Sequence, residues 1–170
     1  MSSLRVLPFD TSMSAPGTGV IEVKNRKARI VDVSHVITNA KQHHGLRADI
    51  VKSWATLFIA KHAAKGFDVI IREDFVARTS RQGHPVYSAW GAVDQALNRF
   101  GLNFTEPAIS QSKVKKLVVG KGKAEKWEVE EAVRKWTGYT GEFAKDDESD
   151  AIAIGLAYLI EEGLIDEPSN

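Results

Sequence analysis

The chain contains the stretch Phe67-Asp68-Val69-Ile70-Ile71-Arg72-Glu73, an apolar run bounded by charged residues. A short run of this kind is typical of a strand that is buried on both faces, as in parallel sheets. Before it, residues 47–65 have apolar side chains at helical spacing, and Gly66 follows directly. After it, residues 86–100 read as a second helix, which Gly101 ends. A strand between two helices predicts an α/β protein.

The segments on either side extend this prediction to a whole sheet. Further strands are predicted at residues 4–10, 20–24, 28–36 and 104–109, and further helices at residues 123–137 and 147–162. The first three strands are joined by short turns and form an antiparallel meander. Strands that follow helices then join the same sheet in parallel. We therefore expect a mixed five-stranded sheet, with strands 1–3 antiparallel and strands 4–5 parallel, flanked by helices and with the first strand central.

The chain has 170 residues, of which 43% are hydrophobic and 26% charged, and this suits one globular domain with a buried core. We expect the domain to span residues 1–165 and residues 166–170 to form a short flexible tail. The absence of cysteine excludes disulfides, zinc–thiolate sites and thiol chemistry. No signal peptide or apolar stretch of bilayer length is evident, so we expect a cytoplasmic protein without membrane association.

The net charge of +1 is uninformative, but the charges are unevenly distributed. Residues 113–126 hold a single acid, Glu125, and six lysines: Lys113, Lys115, Lys116, Lys121, Lys123 and Lys126. Residues 146–150 hold four acids and no basic residue. A basic strip and an acidic cluster in one small domain suit a protein that binds a polyanion and holds cations. The alternative is two solvated surface runs.

Four carboxylates are predicted to meet at one edge of the sheet. Asp10 ends the first strand, and Glu73 follows the strand at residues 69–71. If these strands are parallel neighbours, both acids project from the edge where ligands gather in open α/β sheets. Asp147 and Asp150 lie three residues apart at a helix start, so they share one face, and a helix N-terminus favours ionised acids.

Clustered carboxylates of this kind repel one another unless cations neutralise them. All-oxygen ligation suits Mg²⁺, with Mn²⁺ as a substitute, and two such ions can promote phosphodiester hydrolysis. Taken singly, each acid has an ordinary alternative: Asp10 a turn acid, Glu73 a surface acid and Asp147 a helix N-cap. Their combination predicts a metal site.

Two stretches resemble motifs of the RuvC Holliday-junction resolvases, a family with the ribonuclease H-like fold. Residues 114–126 read VKKLVVGKGKAEK, close to the family pattern V-K-x-x-V-x-G-x-G-x-A-x-K. Residues 147–155 read DESDAIAIG, close to D-x-x-D-A-x-A-x-A. An early strand Asp and a Glu after the fourth strand agree in order and spacing. The resemblance therefore covers nearly the whole chain and implies a ribonuclease H-like nuclease.

The resemblance also implies roles for individual residues. Asp10, Glu73, Asp147 and Asp150 match the catalytic metal-binding tetrad, and Lys115 and Lys126 match basic residues placed near the scissile phosphate. The glycines that usually flank the first Asp are missing around Asp10. The aromatic residue that the family often has three positions after the Glu is replaced by Val76, and Phe75 precedes it. Base stacking by Phe75 and core packing are both open. These departures suggest a phage-type or otherwise divergent member.

The implied activity is an Mg²⁺-dependent endodeoxyribonuclease that cuts four-way and other branched DNA as a C2 homodimer, without an organic cofactor. The lysines, together with Arg78 and Arg81 of the loop after Glu73, are expected to contact phosphates. The helix at residues 86–100 is a candidate dimer element, with burial in its own core as the alternative. Other readings are a ribonuclease H-like enzyme that cuts RNA–DNA hybrids, an inactive nucleic-acid-binding relative, and a structural protein.

Overall fold

The structure, a computed structural model, describes residues 3–76 and 79–168. Its strands are β1 (Leu4–Asp10), β2 (Gly17–Lys24), β3 (Lys27–His35), β4 (Val69–Asp74) and β5 (Ile109–Ser110). Its helices are α1 (His44–His62), α2 (Ser80–Asn98), α3 (Gln111–Val119), α4 (Lys126–Thr137) and α5 (Asp146–Glu161). A short 3-10 turn, Ala63–Lys65, follows α1.

The strands form one sheet in the order β3-β2-β1-β4-β5. β1 pairs with β2, and β2 with β3, in antiparallel fashion, whereas β4 is parallel to β1 and β5 is parallel to β4. This is the predicted mixed five-stranded sheet, and its first strand is central as expected. The central strand β1 therefore lies between β2, which belongs to the antiparallel meander, and β4, which comes from the later part of the chain.

Helices cover both faces of the sheet because successive side chains of each strand point in opposite directions. In β1, Val6 packs in a core shared with α3, α4 and α5. Leu7 and Phe9 pack in a second core with α1 and α2. The last residue of β1, Asp10, lies at the strand end, next to the end of β4.

Several element bounds differ from the predicted ones. The strand predicted at residues 104–109 is reduced to β5, which has two residues, and a helix that was not predicted, α3, follows it directly. Glu73 lies inside β4 and not after it. The helix α2 begins at Ser80, so Pro85 lies within it, where proline removes one backbone hydrogen bond. The loop assigned to Arg81 is in fact the first turn of α2.

The helix α5 lies unusually close to the sheet. A Cβ atom on Gly155 of α5 would come within 2.7 Å of Ile21 Cδ1 and 3.2 Å of Pro8 Cγ. A Cβ atom on Gly19 of β2 would come within 2.6 Å of Ile152 Cδ1. Glycine at both positions lets helix and strand backbones approach, and this places the start of α5 over the ends of β1 and β2.

The residues after α5 return to the meander. Ile165 is buried, and the backbone N–H of Asp166 donates to the carbonyl of Arg26 in the turn between β2 and β3, at 2.9 Å. The tail predicted from residue 166 onward thus starts at an anchored residue. None of the helices formed by residues 3–76 and 79–168 is both long and apolar enough to cross a membrane.

Candidate active site

Two of the four acids lie side by side because their strands are parallel neighbours. Phe9 of β1 is in register with Arg72 of β4, so the next residues, Asp10 and Glu73, are adjacent at the same edge of the sheet. The side chain of Phe9 belongs to the core under α1 and α2. Asp10 points to the opposite face, toward α5, because side chains alternate along a strand.

The other two acids belong to the first turns of α5. Asp147 is the second residue of the helix, and Asp150 follows one turn later on the same face. The residue at the N-cap position is Lys145, so Asp147 is not the N-cap that its position in the sequence could have indicated. Ionised acids are favoured in this first turn because the unpaired N–H groups of the helix carry partial positive charge.

A recess lies between the sheet edge and the helices α3, α4 and α5. It is lined by three of the predicted acids, two of the predicted lysines and four further residues: Asp10, Glu73, Asp150, Lys115, Lys126, Gln111, Val114, Val129 and Ala153. Asp147 does not line the recess, but its charge acts on Asp10 and Asp150. Elements from the whole length of the chain therefore meet at this one place.

The acids in the recess hold their protons more tightly than isolated acids do. Burial, with a smaller effect from the neighbouring charge of Asp150, raises the pKa of Glu73 to about 7. Burial also raises the pKa of Asp150 to about 6, against the opposing charge of Lys126. For Asp10, burial and the charges of Glu73, Asp150 and Asp147 raise the pKa well above its ordinary value. Buried acids that lie close to one another are shifted in this way, and such shifts are concentrated at functional sites.

The cation nearest to these acids is Lys126, the first residue of α4. Its Nζ lies 3.4 Å from Asp146 Oδ2 and 3.9 Å from Asp150 Oδ2. Although partial burial opposes its charge, the carboxylates of Asp150, Asp146 and Asp147 raise the pKa of Lys126 overall. Lys115 also lines the recess, and its positive charge partly offsets the rise in the pKa of Glu73. Two lysines therefore face the acids, which outnumber them.

The donor set of the recess fits a hard divalent cation, because it offers carboxylate oxygens and no sulfur or imidazole. Within the described part of the chain, no three acidic or histidine side chains close tightly around one point as they stand. Glu73 and Asp150 are nevertheless near enough to Asp10 to raise its pKa, and Asp150 is near enough to Glu73 to do the same. Aspartate and glutamate side chains rotate about two or three bonds, which is enough for acids around one recess to converge on an ion.

The remaining predicted basic residues are scattered around the recess. Lys116 and Lys123 are exposed, Lys113 pairs with Glu161, and the Nζ of Lys121 lies 2.5 Å from Glu128 Oε1. Lys113, Lys115 and Lys116 belong to α3, and Lys121 and Lys123 to the turn before α4. Arg81 is exposed in the first turn of α2, and Arg78 lies outside the described residues.

Phe75, directly after β4, is half-buried, and its ring meets that of Tyr87 in α2 edge to face, with centroids 6.3 Å apart. Val76 beside it is 81% exposed. Sequence reasoning missed Gln111, the first residue of α3, which lines the recess. No signal in the sequence points to Gln111, because its place depends on a helix that was itself not predicted.

The raised pKa values of Glu73 and Asp150 predict how stability depends on pH. Between the ordinary value of 4.5 and about 7, folded Glu73 keeps a proton that the unfolded chain has lost. For Asp150 the corresponding range is 3.8 to about 6. The folded state then binds more protons, so its stability falls as pH rises through these ranges. We expect the Tm of the protein in EDTA to fall by roughly 5 °C between pH 5 and pH 8.

Differential scanning calorimetry in EDTA and in Mg²⁺ measures this dependence. Mg²⁺ at pH 8 is expected to restore Tm, because a bound cation offsets the repulsion among ionised acids. In Glu73→Gln, whose side chain does not ionise, the fall with pH should be smaller. A Tm in EDTA that stays constant or rises from pH 5 to pH 8 in the wild type would contradict the prediction.

Comparison with known proteins places the chain among nucleases. The family model "Crossover junction endodeoxyribonuclease RuvC" matches residues 6–158. A protein of that name from Prochlorococcus marinus subsp. pastoris is 31% identical over 160 residues, which cover 94% of this chain and 99% of the relative. One from Orientia tsutsugamushi is 28% identical over 148 residues, which cover 87% and 90% of the two chains.

A solved structure gives the same result for the three-dimensional arrangement. The structure of Thermus thermophilus RuvC in complex with a Holliday junction substrate superposes with a TM-score of 0.80 at 25% identity. The superposition covers 94% of each chain. The similarity therefore extends over the sheet and all the helices that surround the recess, and not over an isolated motif.

Proposed function

The chain belongs to the RuvC family of crossover junction endodeoxyribonucleases, and from this premise we propose that it resolves Holliday junctions and other branched DNA at the recess between β1, β4 and α5. The observation that carries the proposal is the meeting of Asp10, Glu73 and Asp150 with Lys115 and Lys126 around one recess. Acids and lysines from five separate elements converge there, and acids that hold metal ions beside cationic groups suit hydrolysis of a phosphodiester.

We propose that Asp10, Glu73, Asp147 and Asp150 hold divalent cations, two Mg²⁺ per site, with Mn²⁺ able to replace them. Family membership supports dependence on a divalent metal, and the all-oxygen donor set supports Mg²⁺. Two ions bound there would supply Lewis acidity at the attacking water and at the leaving oxygen. The acids must lose their protons to serve as ligands, so the raised pKa values make metal affinity increase with pH.

The lysines of the recess have a different role from the acids. Lys126 is held beside Asp146 and Asp150 by ion pairs, and Lys115 faces Glu73 from α3. Both can donate hydrogen bonds to oxygens of the scissile phosphate, and so stabilise the charge that develops as the bond breaks. The expected product is a nick with a 5′-phosphate and a 3′-hydroxyl.

Contacts outside the recess are assigned to phosphates. We propose that Lys113, Lys115, Lys116, Lys121 and Lys123, with Arg78 and Arg81, bind the DNA backbone, and that Phe75 stacks on a base at the centre of the junction. Phosphate contacts recognise shape and charge more than base sequence. Affinity for the junction therefore weakens steeply with salt, because each neutralised phosphate releases counterions.

We further propose that the protein acts in the cytoplasm as a C2 homodimer. Two symmetric cuts are needed to resolve a four-way junction, and a twofold dimer presents two sites with matching symmetry. Val93 and Leu97 of α2 are buried in the core of their own subunit, so they are not free for a dimer contact. Tyr87 of the same helix is 50% exposed and remains available for one.

The test of the proposed function is cleavage of a synthetic four-way junction, compared with a linear duplex of the same sequence. With Mg²⁺ the junction should be cut into paired nicked duplexes at least about 10²-fold faster than the linear duplex. With EDTA neither should be cut. Analysis of the two DNA ends at each cut shows whether they carry a 5′-phosphate and a 3′-hydroxyl.

Two other outcomes would favour the alternatives. Faster cleavage of an RNA–DNA hybrid than of the four-way junction would indicate a ribonuclease H-like enzyme with a different substrate. Tight junction binding without cleavage in either Mg²⁺ or Mn²⁺ would indicate an inactive nucleic-acid-binding protein. Failure to bind the junction, together with lysine substitutions that have no effect, would indicate that the charge runs are ordinary solvated surface.

A further inference from the structure

One residue from each of the strands β1, β2 and β3 contributes to a row across the sheet, beside the recess. Asp10 at the end of β1 is in register with Gly17 at the start of β2. Gly17 is in turn in register with His35 at the end of β3. Paired residues in a sheet place their side chains on the same face. The row Asp10–Gly17–His35 therefore presents one acid, one bare backbone position and one imidazole to the helix that covers this face, α5.

The first turn of α5 rests directly on the middle of this row. A Cβ atom on Gly17 would lie 2.0 Å from the carbonyl oxygen of Asp147 and 2.5 Å from its carbonyl carbon. Real Cβ atoms do not approach backbone so closely, so only glycine allows this contact. This contact fixes the distance between the backbone of Asp147 and the sheet, next to Asp10.

His35, at the outer end of the row, also contacts the first turn of α5. Glu148 is buried, with 5% of its surface exposed, and both of its carboxylate oxygens have partners. Nδ1–H of His35 donates to Oε1 at 2.9 Å, and the backbone N–H of Ala144 donates to Oε2 at 2.8 Å. Lys145, at the N-cap position, gives no side-chain hydrogen bond to the helix. Glu148 therefore ties the first turn of α5 both to the residues that precede the helix and to β3.

This anchoring matters because the acids of the site push the turn away from the sheet. Asp150 on α5 lines the same recess as Asp10 and Glu73 at the sheet edge, so like charges face each other across the gap. The contact at Gly17 fixes how closely the turn can approach. The bond from His35 to Glu148 opposes its departure. The two contacts act on adjacent residues, Asp147 and Glu148.

We propose that His35 and Glu148, together with Gly17, form a positioning device that holds Asp147 and Asp150 opposite Asp10 before a divalent cation binds. The inference rests on the proposed metal site and adds residues that do not line the recess. Ligands that are held in place by a surrounding shell bind metal more tightly, because less order has to be imposed on binding.

The test is the affinity for Mn²⁺, measured by isothermal titration calorimetry on the full chain without DNA. We expect His35→Ala to bind Mn²⁺ about 10-fold more weakly than the wild type. His35→Asn should restore most of the affinity, since its amide nitrogen lies near the place of Nδ1 and can donate to Glu148. Junction binding in EDTA should be unchanged in both variants, because no phosphate-binding lysine is altered.

A matched control exists on the same strand. Nε2 of His62, on α1, lies 2.9 Å from Oδ2 of Asp32 on β3, so this pair also joins a helix to β3 through an imidazole and a carboxylate. It lies on the far side of the sheet from α5. His62→Ala and His35→Ala are both expected to lower Tm by a few degrees. It should leave the affinity for Mn²⁺ unchanged.

The double variant His35→Ala/Glu148→Ala completes the design. If the two residues act as a unit, removing His35 from a chain that already lacks Glu148 should weaken Mn²⁺ binding no further. Equal Mn²⁺ affinities of His35→Ala, His62→Ala and the wild type would overturn the inference. A wild-type protein that binds no Mn²⁺ and cuts no junction would instead overturn the proposed function, so the two failures are distinguishable.

Discussion

The Asp150→Asn protein is expected to bind a four-way DNA junction as well as the wild type and to cut it about 10³-fold more slowly or not at all. Asp150 lines the recess with Asp10 and Glu73, and the amide that replaces it has no charge to attract a divalent cation. Junction affinity is kept because phosphate contacts are assigned to lysines that the substitution leaves in place. Single-turnover cleavage with Mg²⁺ and gel-shift binding in EDTA measure the two quantities separately.

The neighbouring Asp146→Asn is the matched control. It removes the same charge from the same end of α5 and also loses an ion pair with Lys126, but Asp146 does not line the recess. Its cleavage rate should stay within about threefold of the wild type, as for other exposed charges. Equal loss of cleavage in both variants would mean that cleavage depends on the general negative charge of this turn or on its ion pairs with Lys126. Normal cleavage by Asp150→Asn would overturn the proposed mechanism.

Asp150→Asn should also be more stable than the wild type when no metal is present. Burial raises the pKa of Asp150 to about 6, so at pH 8 the folded protein carries an ionised acid in an unfavourable environment. An uncharged asparagine removes that cost. A higher Tm in EDTA together with lost activity would show that the acid needed for cleavage lowers the stability of the wild-type protein.

Gly17→Ala is expected to have the second large effect. Its Cβ atom would overlap the backbone of Asp147, with only 2.0 Å to the carbonyl oxygen, so either β2 or the first turn of α5 must move. A backbone shift forced by overpacking costs about 1–3 kcal/mol. Because the displaced turn carries Asp147 and Asp150, we expect junction cleavage to fall at least about 10²-fold even where the protein stays folded.

Gly45→Ala is the control for this substitution. Gly45 lies in the first turn of α1, and no atom lies within 4 Å of the place where its Cβ would be. Alanine at such a helical position should keep Tm or raise it slightly, because glycine weakens helices. Circular dichroism, Tm and cleavage are measured for both variants. If Gly17→Ala matches the wild type in Tm and cleavage, the close contact between β2 and α5 is unimportant for the site.

The sheet could be predicted from the sequence because its signals are local. The alternation in β1 to β3 and the apolar run of β4 are visible in a few residues each, and the switch from meander to alternating elements implies the parallel pairing. Val114 and Val118 of α3 are one helical turn apart and both buried. Lysines and β-branched residues around them obscured this short amphipathic pattern.

Side-chain placement depended on contacts that a sequence does not display. Asp10, Glu73, Asp147 and Asp150 were selected by residue type and by strand or helix ends, and three of them line one recess. The role of Glu148 was not foreseen, since an acid between two others in an acidic run resembles solvated surface. Only the tertiary pairing with His35 on a distant strand reveals why it is buried.

The site is divided between early and late parts of the chain: β1 supplies Asp10, and α5 supplies Asp147 and Asp150. Proteins are synthesised from the N-terminus, so a growing chain has Asp10 and Glu73 long before α5 exists. Until α5 has been made and has packed over β1 and β2, neither the recess nor its full set of acids is present. The order of elements thus delays completion of the proposed site until nearly the whole chain has been made.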